Sequence, residues 1–254
     1  TPGFYPFNRP SSNYAASWIT VRPAAGLTRQ DVVIGAAGNE TEWPSLNFKA
    51  PVKFENITFD LSYLSSMSSH WAENCLYTDA YGAWHAGGGG TWDAETRTLT
   101  AGKLLSGYDH AYRAARGQNY LRIRGGDGVT PGIYEIASKV GDDAIVLVES
   151  CSPVDGSVSW GRGHDILRTD NTAYAINCDF IDMGSGPSKY ALVRGCLADT
   201  MSGDFMQEWQ FVVNTEVRNF HGEWDGAMHS DIFQRVGGAE RQGGVLTLAL
   251  DQVL

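Results

Sequence analysis

The sequence predicts an all-β fold, a parallel β-helix interrupted by a small antiparallel β module, and three observations predict it. Short segments with alternating apolar positions recur at a near-constant spacing. Patterns with the helical 3.6-residue period are scarce, which argues against an α/β chain. The middle of the chain follows a different, turn-punctuated grammar.

The recurrence is seen by placing five segments one above another: VKFENITFDL (52–61), HWAENCLYTD (70–79), AYAINCDFID (173–182), ALVRGCLADT (191–200) and VVNTEVRNFH (212–221). In the first four, a small or turn-prone residue (Asn56, Asn74, Asn177, Gly195) precedes an apolar one (Ile57, Cys75, Cys178, Cys196). The fifth departs, with Glu216 preceding Val217. Asn56 to Asn74 and Asn177 to Gly195 are each 18 residues, and Gly195 to Glu216 is 21. A period near 20 with one short strand per repeat is what a parallel β-helix needs, because a single coil cannot bury its apolar face alone. Stacking would place Ile57, Cys75, Cys178, Cys196 and Val217 in one inward ladder. Asparagine tolerates the left-handed backbone at the coil corner before it. A β-sandwich with coincidental spacing is the competing architecture.

Taken in order, SWITVRPAAG (17–26) and DVVIGAAG (31–38) read as strands of an entry coil, and residues 1–85 as the N-terminal coils. Asn74 to Asn177 spans 103 residues, too long for one coil. Within it, YLRIR, GIYEIAS and AIVLVES alternate apolar and polar and are separated by GGDGVTP and KVGDD, the pattern of an antiparallel meander with Gly, Asp and Pro turns. Residues 86–165 therefore read as an insertion, with GGGG (87–90) as a flexible joint, and 166–254 as the C-terminal coils. The chain starts at TPGFYPFNRP without Met or a signal pattern, which reads as a processed chain or a fragment. It ends at VLTLALDQVL, a strand whose open edge calls for a cap, further residues or another subunit, a trimer or larger assembly included.

Composition narrows the partners. A net charge of −10 argues against nucleic acid and against an anionic membrane surface, and no run reaches the length of a transmembrane helix. Aromatic residues make up 11%, with eight Trp, which suits contact with sugar rings. Cys75, Cys151, Cys178 and Cys196 have no zinc-like spacing; they read either as two disulfides or, for at least three of them, as small buried apolar side chains. Familiar cofactor signals are absent: there is no P-loop, and GGGGTW is followed by no helix.

WITVRPAAG followed by NITF, NCLY and NCDF rungs resembles the right-handed parallel β-helix proteins of the pectate-lyase-like superfamily, which includes polysaccharide lyases, glycoside hydrolases and phage tailspikes. The resemblance covers about two-thirds of the sequence, and its motifs are architectural, specifying the coil better than the chemistry. It implies an extracellular, cell-surface or virion-associated protein that handles a polysaccharide or surface glycan. Lyases of this kind use Lys or Arg, often with calcium, and Lys189, Arg194 and Arg218 are the cations on neighbouring rungs. Hydrolases use paired carboxylates; Asp182, Asp199, Asp204, Glu208 and Glu216 lie on successive rungs or turns, and stacking at roughly 4.8 Å could bring two within reach of one bond.

The richest segment is HGEWDGAMHSDIFQ (221–234). His221, Glu223 and Asp225 alternate, as do His229 and Asp231, so each set would share a face of an extended strand. A His beside a carboxylate can serve as acid or base near neutral pH, or help hold a divalent metal. Trp224 would offer a platform for a sugar ring, with Trp209 and Tyr190 nearby in sequence. A polar turn explains the same residues without any site. Two readings of function follow, a carbohydrate-active enzyme working along the coil and a non-catalytic adhesion or spike component, with a purely structural spacer behind them.

Overall fold

The computed structural model describes residues 3–4, 18–35, 51–60, 64–66, 69–78, 88–102, 109–115, 117–161, 167–169, 173–183, 186–188, 190–201, 205–207, 211–221, 233–234 and 250–251. The chain is all-β and divides into two compact units, one drawn from residues 1–82, 165–220 and 231–254, the other from 83–164 and 221–230.

The first unit carries three parallel sheets. One contains, in order, Gly3–Phe4, Val32–Gly35, Thr58–Asp60, Leu76–Thr78, Asp179–Met183, Leu197–Met201 and Glu216–Phe220. The second contains Ile19–Val21, Val52–Glu55, His70–Glu73, Ala173–Ile176, Leu192–Arg194, Phe211–Val213 and Leu250–Asp251. The third, of five short strands, runs from Leu64–Ser66 through Leu167–Thr169, Pro187–Ser188 and Met206–Gln207 to Phe233–Gln234. In every sheet the strands follow chain order, so each segment stacks on the one before it.

Each ten-residue repeat is two strands and not one, and the residue between them explains why. Asn56, Asn74, Asn177, Gly195 and Asn214 all have positive φ, between 47° and 64°. A left-handed residue turns the chain from one sheet to the next, and Asn and Gly adopt that region at least cost. Backbone hydrogen bonds run unbroken through the corner: Asn56 N to Glu73 O, Asn74 N to Ile176 O, Asn177 N to Arg194 O and Gly195 N to Val213 O, all between 2.8 and 3.0 Å.

This register also corrects the fifth repeat. The corner residue is Asn214, 19 residues after Gly195, and the inward position is Thr215, not Val217. Ile57, Cys75, Cys178, Cys196 and Thr215 are buried. The thiols of Cys75, Cys178 and Cys196 donate to the carbonyls of Glu73, Ile176 and Arg194, in each case two residues back. Thr215 Oγ1 makes the same bond to Val213 O at 3.2 Å, so a hydroxyl takes the place of the thiol. All four cysteines are free and buried.

The core of this unit is filled by inward rows from the first two sheets. Phe59, Tyr77 and Phe180 stack with ring centroids 4.9 and 5.1 Å apart, on three successive strands. Burying each such side chain contributes about 1.5–3 kcal/mol, and the ring contacts add about 0.5–1.5 kcal/mol.

The second unit is a closed antiparallel barrel of six strands: Gly88–Asp93, Thr98–Thr100, Tyr120–Gly126, Gly132–Val140, Ala144–Leu147 and Gly156–Gly161. Its middle three are the meander read from the sequence, with Tyr120 opposite Glu135 and Lys139 opposite Ile145. The glycine run is no joint: Gly88, Gly89 and Gly90 pair with Trp160, Ser159 and Val158. A side chain at Gly90 would run into Leu99 at 2.7 Å, so glycine here makes room for the barrel core. Trp92, Leu99, Leu121, Ile123, Ile136, Ile145 and Leu147 fill that core, and Trp92 Nε1 donates to Ser152 O at 3.0 Å. The described residues include a single short helix, His110–Ala114, capped by Asp109 accepting from Tyr112 N.

Candidate functional site

Glu223, Asp225, His229, Asp231, Trp209, Trp224 and Lys189 lie outside the described residues. Of the expected site, His221, Arg194 and Arg218 remain. His221 is half-buried in the second unit, its ring 4.7 Å from that of Tyr120. Tyr190, expected as part of a sugar platform, is fully buried in the first unit, where its hydroxyl meets His70 Nε2. Burial with no compensating charge pushes His70 down to about 4.

Arg218 lies on the outer face of the first sheet, where Asp199 pairs with it at 2.8 Å and Glu216 at 3.5 Å. Asp199 also accepts from Asn219 Nδ2 at 2.7 Å and Thr200 Oγ1 at 3.2 Å. Those bonds, that of Asn219 first, hold the Asp199 carboxyl below its usual range. A carboxylate so held is a poor proton donor near neutral pH. The three described carboxylates expected to stack do not share a row. Glu216 aligns with Leu197, and Asp199 with Ile181 and Arg218. Asp182, with φ of 56°, stands instead at the irregular position shared by Thr200 and Asn219.

The second sheet presents a different face. Alternation turns Val21, Phe54, Ala72, Ala175, Val193 and Val212 inward, so the residues before them point out. Register places Thr20, Lys53, Trp71, Tyr174, Leu192 and Phe211 in a single outward row across six successive strands. Phe211 is 59% exposed at one end, and Trp18, 44% exposed, sets its ring edge-on to Trp71 at 6.4 Å near the other. Trp71 and Tyr174 lie 5.7 Å apart with their planes tilted. Lys53 Nζ stands 4.9 Å from the Trp71 ring centroid and is held by Glu55 at 2.6 Å and Glu73 at 2.9 Å. These two carboxylates, Glu55 foremost, raise the Lys53 ammonium above its usual value.

Beside this row runs a second, Glu55, Glu73, Ile176, Arg194 and Val213. Arg194 is exposed, on the same face as Leu192 and one strand from Phe211, and makes no ion pair among the described residues. The aromatic row was missed in the sequence because its members are separated by 18 to 103 residues; its signal was the second position of VKFE, HWAE and AYAI and the first of LVR and FVV, legible only once the register is known.

Among the described residues no group of three or more His, Cys, Asp or Glu side chains could hold a metal ion, and no helix is long and apolar enough to cross a membrane. No family model, curated protein or solved structure matches the chain.

Proposed function

We propose that this is an extracellular polysaccharide-binding protein whose three parallel sheets are the faces of a right-handed β-helix like those of the pectate-lyase-like superfamily. The observation that carries the reading is the outward row of Trp71, Tyr174, Leu192 and Phe211, flanked by Trp18, on a parallel sheet. Sugar rings present apolar C–H faces edged by hydroxyls, and aromatic side chains recognise them by stacking while neighbouring charged groups take the hydroxyls. A row that crosses strands at ~4.8 Å intervals suits a chain of such rings better than a compact ligand.

Binding is placed ahead of cleavage because Asp199, a carboxylate on the neighbouring face, is committed to Arg218, Asn219 and Thr200. A glycoside hydrolase or polysaccharide lyase is the enzymatic form of the same proposal, with His221, Glu223, Asp225, His229 and Asp231 as its candidate groups and calcium as the ion the lyase form would call on.

Affinity electrophoresis in gels cast with individual polysaccharides tests the reading. Wild-type protein is expected to be retarded by at least one of them, and Phe211→Ala to migrate about tenfold less retarded at equal polymer concentration. Equal retardation of both proteins on every polymer sinks the assignment of this face. The same mixtures, followed for new reducing ends and for the ultraviolet absorbance of unsaturated products, separate a binder from a hydrolase and a lyase.

A further inference from the structure

The charges around the aromatic row are unevenly disposed, and their arrangement bears on which glycan it takes. At the Trp71 end the described ionic groups are already matched: Lys53 lies between Glu55 and Glu73, and Arg22 approaches Glu55 at 4.0 Å. At the Phe211 end stands Arg194, exposed and without an ion pair among the described residues. The middle is apolar, with Tyr174 and Leu192 in the row and the buried Ile176 beside them. From Lys53 to Phe211 the row crosses five strands, roughly 19 Å at ~4.8 Å per strand, the length of a few sugar rings.

Resting on the glycan-binding reading above, we infer that this face takes a linear glycan with an isolated carboxylate in an otherwise uncharged repeating unit, seated so that neutral rings lie over Trp71, Tyr174 and Leu192 and the carboxylate meets Arg194. A guanidinium binds a carboxylate through two parallel N–H···O bonds, and an unpaired exposed one keeps both forks available. A polymer with a carboxylate on every sugar is disfavoured here. Its charges would fall beside Glu55 and Glu73, and they would approach a chain of net charge −10. A wholly neutral polymer would satisfy the rings and leave Arg194 with water. The spacing of charge along the glycan, not its total, is therefore the selected property, and Arg194 sets the register of the chain on the face.

Binding isotherms on immobilised polysaccharides of three classes test this: uncharged, one carboxylate per repeat of two or more sugars, and one carboxylate per sugar. Each acidic polymer is run beside its carboxyl-reduced form. The expected result is tightest binding in the second class, about tenfold weaker after carboxyl reduction and about tenfold weaker for Arg194→Gln, with Arg194→Lys intermediate. Phe211→Ala weakens binding to parent and reduced polymers alike. Retained binding that ignores both carboxyl reduction and Arg194→Gln, or that is tightest for the fully charged class, overturns the inference and leaves the glycan-binding face standing. No binding to any class by the wild-type protein, or binding unaffected by Phe211→Ala, overturns the face as well.

Discussion

The two units set the surroundings of a residue in different ways. In the parallel unit a side chain meets its own counterpart one segment away, so the same chemistry recurs. Asn56, Asn74, Asn177, Gly195 and Asn214 share one backbone conformation, and Cys75, Cys178, Cys196 and Thr215 share one hydrogen bond. In the barrel no position repeats. Gly90 answers to Leu99, Trp92 to Ser152, and Gly126 to Ser157, each a solitary fit. A substitution in the parallel unit can thus be judged by whether another segment already hosts the new residue. One in the barrel has to be judged against its own neighbours.

The largest test of that contrast is Gly126→Ala. Gly126 has φ of 141°, and a Cβ there would lie 2.0 Å from Ser157 O, a backbone atom that cannot step aside. We expect a loss of about 4 kcal/mol, near the top of the range for single substitutions, read from urea unfolding. A loss under about 1 kcal/mol would falsify the close fit.

The next effect is a pH dependence confined to the parallel unit. His70 is neutral when folded, at about 4, against 6.5 for an exposed imidazole. Between those values the unfolded chain takes up a proton that the folded chain refuses. Stability should therefore fall as pH drops from about 6.5 to about 4, by about 3 kcal/mol in all, and change no further on this account below that. In His70→Leu the slope in that window should vanish, whatever the midpoint itself does. Carboxylates held low, such as Asp199, act at more acid pH and do not fill the window.

Smaller effects sharpen the repeat. Thr215→Val removes a buried hydroxyl that donates to Val213 O and accepts from Cys196 N, and should cost about 1–1.5 kcal/mol. Thr215→Cys, which restores the residue of three other segments, should lie within about 0.5 kcal/mol of wild type. Smallest, Thr200→Asn relieves a β-branched residue of its left-handed backbone, φ 59°, where the next segment already has Asn219 at 50°. Thermal unfolding should show a gain of about 0.5–1 kcal/mol, net of the bond from Thr200 to Asp199.

The corner ladder was legible because Asn and Gly are marked residues: they report a backbone conformation, and a conformation repeats when a fold does. Its fifth member was misplaced because the inward position was sought as an apolar residue. Thr215 is polar by type yet behaves there as the thiols do. The glycine run read as a joint because glycine signals freedom when nothing packs on it, and the ring of Trp160 and the side chain of Leu99 pack on Gly88 and Gly90. The candidate site was hardest to read for a different reason. HGEWDGAMHSDIFQ drew notice as neighbours in sequence, whereas Trp71, Tyr174 and Phe211 are neighbours only through strand register. Arg194 and Arg218 looked alike on paper; what separates them is that Asp199 answers one and no described carboxylate answers the other.

Leu76–Thr78 pairs directly with Asp179–Ile181, although the whole barrel is encoded between them. On the ribosome this juxtaposition imposes a wait. When Thr78 has emerged, its strand ends the growing sheet as a naked edge, and its partner is 103 residues away, counted from Asn74 to Asn177. At typical synthesis rates that delay is roughly 5–20 seconds, long compared with the folding of a small β domain. The barrel, closed on itself and free of such edges, has time to complete in the interval. Nascent chains stalled within the barrel should therefore be the species most prone to pair edge to edge with one another.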